Sequence, residues 1–113
     1  MNLVALYGRL IRDPELKYSV NGTARTYAIV AVDRQMNKEK RKEAAENGQQ
    51  TSDFIPITAF GGTAEVLATH FKKGNKIVLE GRIATGNYEK DGKRIYTTDV
   101  IVDKLHFVDK KES

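Results

Sequence analysis

The segment Phe54-Ile55-Pro56-Ile57-Thr58-Ala59-Phe60 constrains the fold more than any other. Side chains alternate along a strand, so Phe54, Pro56, Thr58 and Phe60 share one face while Ile55, Ile57 and Ala59 share the other. The aliphatic face has the composition of core. The opposite face carries two rings about 20 Å apart, at about 3.3 Å per residue. Taken alone, those rings fit burial in a core. In a basic protein they also suggest an open platform on which nucleic-acid bases stack. Gly61-Gly62-Thr63 follows, with Thr63 the expected helix N-cap. Ala64, Leu67, Ala68 and Phe71 then fall at i, i+3, i+4, i+7, one apolar helical face. Lys72 and Lys73 suit a helix C-terminus and Gly74 the position after it.

The other segments read as strands. Residues 3–10 are a short apolar run stopped by Arg12-Asp13-Pro14. Residues 15–19 suit a short strand, and Asn21-Gly22 a hairpin turn. Residues 23–33 are rich in β-branched and small side chains, a long strand. Ile77, Leu79, Gly81 and Ile83 alternate with Val78, Glu80, Arg82 and Ala84, the two faces of a strand. Asp91-Gly92 marks another hairpin, and residues 94–108 a last long strand. The step from Val102 to Leu105 breaks period two and suggests a bulge. Residues 34–52 are polar and charged. Their KEKRKEAAE centre is compatible with a short helix, but the expectation is a flexible basic hairpin loop. The order is strands, one helix, strands. That matches an all-β OB-fold, a five-stranded Greek-key barrel with one short helix between the third and fourth main strands.

At 113 residues the chain suffices for one domain, expected over 1–109, with 110–113 a short polar tail. A net charge of +4 favours a polyanionic partner. There is no cysteine, which excludes disulfides and thiolate ligands and fits a cytoplasmic protein. The first ten residues lack a basic n-region, and no apolar run approaches a membrane span, so neither a signal peptide nor membrane association is expected. His70 and His106 stand alone without metal-ligand spacing, and no nucleophile or phosphate-loop motif occurs. No metal, cofactor or enzymatic activity is expected.

Gly8-Arg9-Leu10, Asp13-Pro14-Glu15-Leu16-Lys17-Tyr18 and Asn21-Gly22 resemble the opening of bacterial and phage single-stranded DNA-binding proteins. So do the run from Asp53 through Phe60, Ala64-Glu65, Lys73-Gly74, Glu80-Gly81-Arg82, Asn87-Tyr88-Glu89 and Tyr96-Thr97-Thr98-Asp99-Val100, in consistent order over residues 3 to about 108. The resemblance implies an OB-fold, usually a homotetramer with a dimer as the lesser assembly. It implies binding of single-stranded DNA without sequence preference, and its protection during replication, recombination and repair. It implies base stacking at Phe54, Phe60 and Tyr88, with Met36 at a loop position where many members carry an aromatic ring. Candidate phosphate contacts are Arg34, Lys38, Lys40, Arg41, Lys42, Lys72, Lys73, Lys76, Arg82, Lys90, Lys93 and Arg94. Tyr7, Tyr18, Tyr27, Phe71 and Phe107 are expected in the core or a subunit interface, and Val30, Val32 and Val78 are candidates for apolar contact between subunits. Two departures stand out. Ala84, Gly86 and Asn87 occupy positions where many members are basic. Residues 109–113 lack the acidic, Phe-ended tip that recruits replication and recombination proteins, so that recruitment is not expected. Two other readings remain open: an OB-fold accessory module of the primosome type that holds proteins, and an RNA-binding OB domain.

Overall fold

A computed structural model describes residues 1–108. The expected tail at 110–113, and the domain end at 109, lie outside the described residues. Six strands and two helices follow the order β1 (Val4–Leu10), β2 (Glu15–Tyr18), β3 (Ala24–Asp33), α1 (Lys38–Glu46), β4 (Ser52–Phe60), α2 (Gly61–His70), β5 (Lys76–Lys90) and β6 (Lys93–Phe107). Hydrogen bonding runs β1-β5-β6-β4-β3, and β1 also pairs with β3, so five strands close a ring. This is the expected five-stranded barrel. The short 15–18 segment adds a sixth strand that pairs only with β3, outside the ring.

The alternation read from the sequence sets the barrel interior. Ile57 and Ala59 of β4 are fully buried with Leu10, Ala28, Val30, Ile77, Leu79, Val100 and Val102, and Ile55 packs partly against them. Val30 therefore belongs to the core and is unavailable to another subunit. Val32 also packs against the core, leaving Val78 of that set facing outward. Helix α2 plugs one end with Ala64, Leu67 and the following Phe71, and the Thr26 hydroxyl on β3 donates to the Ala64 carbonyl at 2.7 Å. Burying a hydroxyl without such a partner would be costly.

The N-terminus of α2 differs from expectation. Phe60 is the N-cap, still extended, and makes no side-chain cap bond; Thr63 sits inside the first turn. The strand runs directly into the helix, leaving no linker residue to cap it. The helix also ends earlier, at His70. Lys72, Lys73 and Gly74 form a separate turn, in which the Lys73 amide donates to Asp13 and the Lys72 amide to Asn75.

Strands β5 and β6 continue as a two-stranded arm past the barrel rim. Their register shifts once: Glu80 faces Lys104 but Gly81 faces Val102, so Asp103 is the extra residue of a bulge. This is the break in period two read from the sequence. A side chain at Gly81 would run into the Ile101 carbonyl, which is why the strand carries none at this position beside the bulge. The arm ends in an Asp91-Gly92 turn with both residues at positive φ, 53° and 77°, as a tight hairpin requires. The burial of Ile77, Leu79 and Gly81 does not continue to Ile83, which is 47% exposed. It lies on the inner face by parity, but the barrel wall has ended there.

The segment 34–52 departs most. Lys38–Glu46 is an α-helix, in place of the irregular loop expected from composition. The Asn37 side chain accepts from the Lys40 amide at 2.7 Å, Glu39 lies in the first turn, and Asn47 ends the helix with its amide bonded to Glu43. Lys, Glu, Arg and Ala are all strong helix formers, so local propensity and capping outweigh the lack of an apolar period.

Candidate nucleic-acid interface

Strand register decides which side chains share a surface, because paired residues point the same way. On the outer face of the barrel three cross-strand rows emerge. Lys76, Arg9, Ala31 and Phe54 form one across β5, β1, β3 and β4. Lys17, Arg25 and Phe60 form the second across β2, β3 and β4. Glu15, Tyr27, Thr58, Ile101 and Arg82 form the third across β2, β3, β4, β6 and β5. Each phenylalanine thus ends a row that carries basic side chains.

Phe54 and Phe60 are 54% and 47% exposed, so neither ring lies in the barrel core. Tyr88, 51% exposed, joins the same surface. From Arg82 the even-numbered residues Ala84, Gly86 and Tyr88 continue the outer face along β5, with Ile95 opposite Tyr88. The sheet therefore brings all three candidate stacking rings to its outer face. Their platform is β4 and the arm, joined through the parallel Thr58–Ile101 pairing.

Met36 is placed differently. It is half-buried and lines a concavity with Lys40, Glu43, Ala44 and Gln49, so its thioether lies against α1.

The basic candidates fall into several groups. Lys76 and Arg82 lie in the rows described above. Lys90 and Lys93 face each other at the arm's end on the Tyr88 side. Arg94 lies on the opposite side, donating to Asn87 at 2.6 Å and pairing with Glu89 at 3.3 Å. Arg34 is held by Asp53, next to Phe54, at 2.9 Å. Lys38, Lys40, Arg41 and Lys42 belong to α1, where the Arg41 guanidinium donates to the Arg34 carbonyl at 2.7 Å. Lys72 and Lys73 stand in the turn after α2, beside the β1–β2 connection through Asp13.

Sequence reading missed Arg9, Arg12, Lys17 and Arg25, and placed Tyr27 in core or interface. Tyr27 is half-buried on the outer face, with the Arg12 guanidinium 5.8 Å over its ring. The missed signal was alternation: Arg25, Tyr27, Ile29 and Ala31 take the outward positions of β3 while Ala24, Thr26, Ala28 and Val30 take the inward ones. Of the other aromatics assigned to core or interface, Phe71 is core. Tyr7, Tyr18 and Phe107 are exposed, and Phe107 stacks on Phe71 with centroids 5.0 Å apart.

Away from the platform, His106 bonds to Glu80 across β5 and β6 at 3.0 Å, and this bond holds the Glu80 carboxyl below its ordinary range. Among the described residues no cluster of acidic, histidine or cysteine side chains has the arrangement of a metal site, and no helix is long and apolar enough to cross a membrane.

A closed five-stranded barrel with one helix plugging its end, an open aromatic face and basic rows leading to it defines an OB-fold protein of the nucleic-acid-binding kind. The family model described as "Single-strand binding protein family" matches residues 1–108. The chain is 45% identical over 113 residues to a single-stranded DNA-binding protein of Fusobacterium nucleatum, covering all of this chain and 70% of that one. It is 44% identical over 111 residues to a single-stranded DNA-binding protein of Clostridium tetani, covering 96% of this chain and 71% of the relative. A single-stranded DNA-binding protein 2 of Clostridium acetobutylicum is likewise 44% identical, with 96% and 77% covered. The chain belongs to the single-strand binding protein family.

Proposed function

We propose that this protein binds single-stranded DNA in the cytoplasm without sequence preference, as a homo-oligomer and without catalysis, and shields it during replication, recombination and repair. One observation carries the reading: Phe54, Phe60 and Tyr88 are exposed on one continuous sheet surface whose cross-strand rows supply Arg9, Arg25, Lys17 and Arg82. Every base has a π face, so stacking binds all sequences, at roughly 1–3 kcal/mol per ring. Bases buried in a duplex cannot reach flat rings on a sheet, so single strands are selected over double strands. Cationic side chains along the rows follow the phosphates and release counterions. The names of the relatives agree with this reading.

The oligomer is proposed as a tetramer. Strand β1 pairs with β5 along one edge but pairs with β3 only at Arg9 and Leu10, with Gly8 also against Ala31, so its other edge from Val4 to Tyr7 has no strand partner among the described residues. A free edge is a surface for a second copy.

Titration of labelled oligo-dT, with duplex DNA and oligo-U as competitors, tests the function. Tight oligo-dT binding that duplex cannot displace is expected. Displacement by oligo-U at equal concentration would move the assignment to an RNA-binding domain. No binding to either strand would leave a protein-holding OB module.

A further inference from the structure

Beside the second row, the outer face of β2 and β3 holds a concavity of about 290 Å³ lined by Glu15, Lys17, Arg25 and Tyr27. Its place is fixed by register. Arg25 stands opposite Phe60 and Tyr27 opposite Thr58, so the concavity adjoins the Phe60 end of the platform. Its chemistry is mixed. Lys17 and Arg25 are cationic, Tyr27 offers a ring and a hydroxyl, and Glu15 offers a carboxylate. Glu15, Lys17 and Arg25 make no side-chain hydrogen bond or ion pair among the described residues. A carboxylate on a surface that meets a polyanion opposes binding unless it has a donor to receive.

We infer that Glu15 accepts a hydrogen bond from the exocyclic amino group of a base seated in this concavity, giving the protein a preference for amino-bearing bases at that subsite. This deepens the proposed single-strand binding and rests on it. Cytosine presents its N4 amino group to an acidic acceptor, whereas thymine presents the O4 carbonyl in the same place. Lone-pair repulsion between O4 and the carboxylate disfavours thymine there. Lys17 and Arg25 hold the flanking phosphates, which keeps the carboxylate from repelling the strand as a whole. The rest of the platform reads only π faces, so the bias is confined to one nucleotide position and the overall binding stays tolerant of sequence.

The test compares oligo-dC with oligo-dT of equal length at pH 8, on wild type, Glu15→Ala and Phe60→Ala. Both bases are pyrimidines, so stacking area is matched and the amino group is the difference. Wild type is expected to bind oligo-dC relatively better than Glu15→Ala does, with the ratio of the two affinities falling about fivefold in the variant. Removing a negative charge raises affinity for both strands alike, so the ratio isolates the hydrogen bond. Glu15→Gln, which donates as well as accepts, shifts the ratio toward oligo-dT. A ratio unchanged in both Glu15 variants, while Phe60→Ala weakens both strands, would overturn the inference and leave the binding surface standing. Failure of wild type to bind either strand would remove the surface itself, and the inference with it.

Discussion

Phe54 and Phe60 cost the molecule something. Two half-exposed rings on an outer sheet face keep about half of their surface in water, and neither belongs to the barrel core. Their replacement therefore separates binding from folding. Phe54→Ala, Phe60→Ala and Tyr88→Ala should each weaken oligo-dT binding by about 1–3 kcal/mol while the melting temperature stays close to wild type. A variant that melts much earlier, yet binds normally once folded, would show that its ring serves the structure. Gly81 is the opposite case, a residue whose role is purely steric. A methyl there meets the Ile101 carbonyl, which is backbone and cannot rotate away. Gly81→Ala should destabilise by about 1–3 kcal/mol or more, read as an earlier thermal transition, and stability equal to wild type would mean that the bulge at Asp103 absorbs the strain. The two residue classes were unequally legible. The aromatic face of β4 followed from alternation alone. The exposure of its rings did not, because alternation says which side chains are together and not whether another layer covers them.

Elements with a strong local code were readable and those set by their neighbours were not. The barrel strands, the Asp91-Gly92 hairpin and the Asp103 bulge are written in period two and its breaks. The start of α2 was misplaced because β4 feeds straight into it and needs no capping side chain. Helix α1 was missed because an amphipathic period was demanded of a helix that buries little beyond Ala44. Its signals were the Asn37 cap and the run of strong helix formers. That helix changes what the segment can do for a single strand. Lys38, Lys40 and Lys42 now project from a formed element, while Arg41 is committed to the Arg34 carbonyl and Arg34 to Asp53. Replacing Lys38, Lys40 and Lys42 together by Gln keeps the helix formers and the cap. If the element lies along the strand, the slope of log affinity against log salt should become shallower, by about 0.7 for each phosphate no longer neutralised. Deleting residues 38–48 should have at least the same effect. An identical slope in both variants would make α1 a bystander and leave the cations of the barrel rows as the phosphate path.

At the scale of the whole molecule the rows divide the outer surface into two regions. Rows ending in Phe54 and Phe60 are basic and aromatic. Further along β1 and β5 the next outward row is Tyr7, Val78 and His106, followed by Ala5, Glu80 and Lys104. Tyr7 is 55% exposed, and the adjoining edge of β1 lacks a strand partner among the described residues. A free edge and the half-exposed Tyr7 and Val78 beside it are the two features that a second copy would cover, the edge by strand pairing and the side chains by packing. The stacking platform is left open by that arrangement, so assembly and strand binding do not compete for β4. Light scattering at micromolar concentration should give a multiple of the 12.7 kDa chain mass, four for the proposed tetramer. Tyr7→Glu places a charge in the covered row, where it would be desolvated without a partner, and should shift the mass toward the single chain. Tyr7 also lines a concavity with Arg9, Ala31 and Lys76 of the Phe54 row, so the new carboxylate should weaken oligo-dT binding as well, and the chain mass is the readout that isolates assembly. A wild-type mass of 12.7 kDa at micromolar concentration would defeat the oligomer, and an unchanged multiple of that mass in a folded Tyr7→Glu variant would mean that this row is not the one covered.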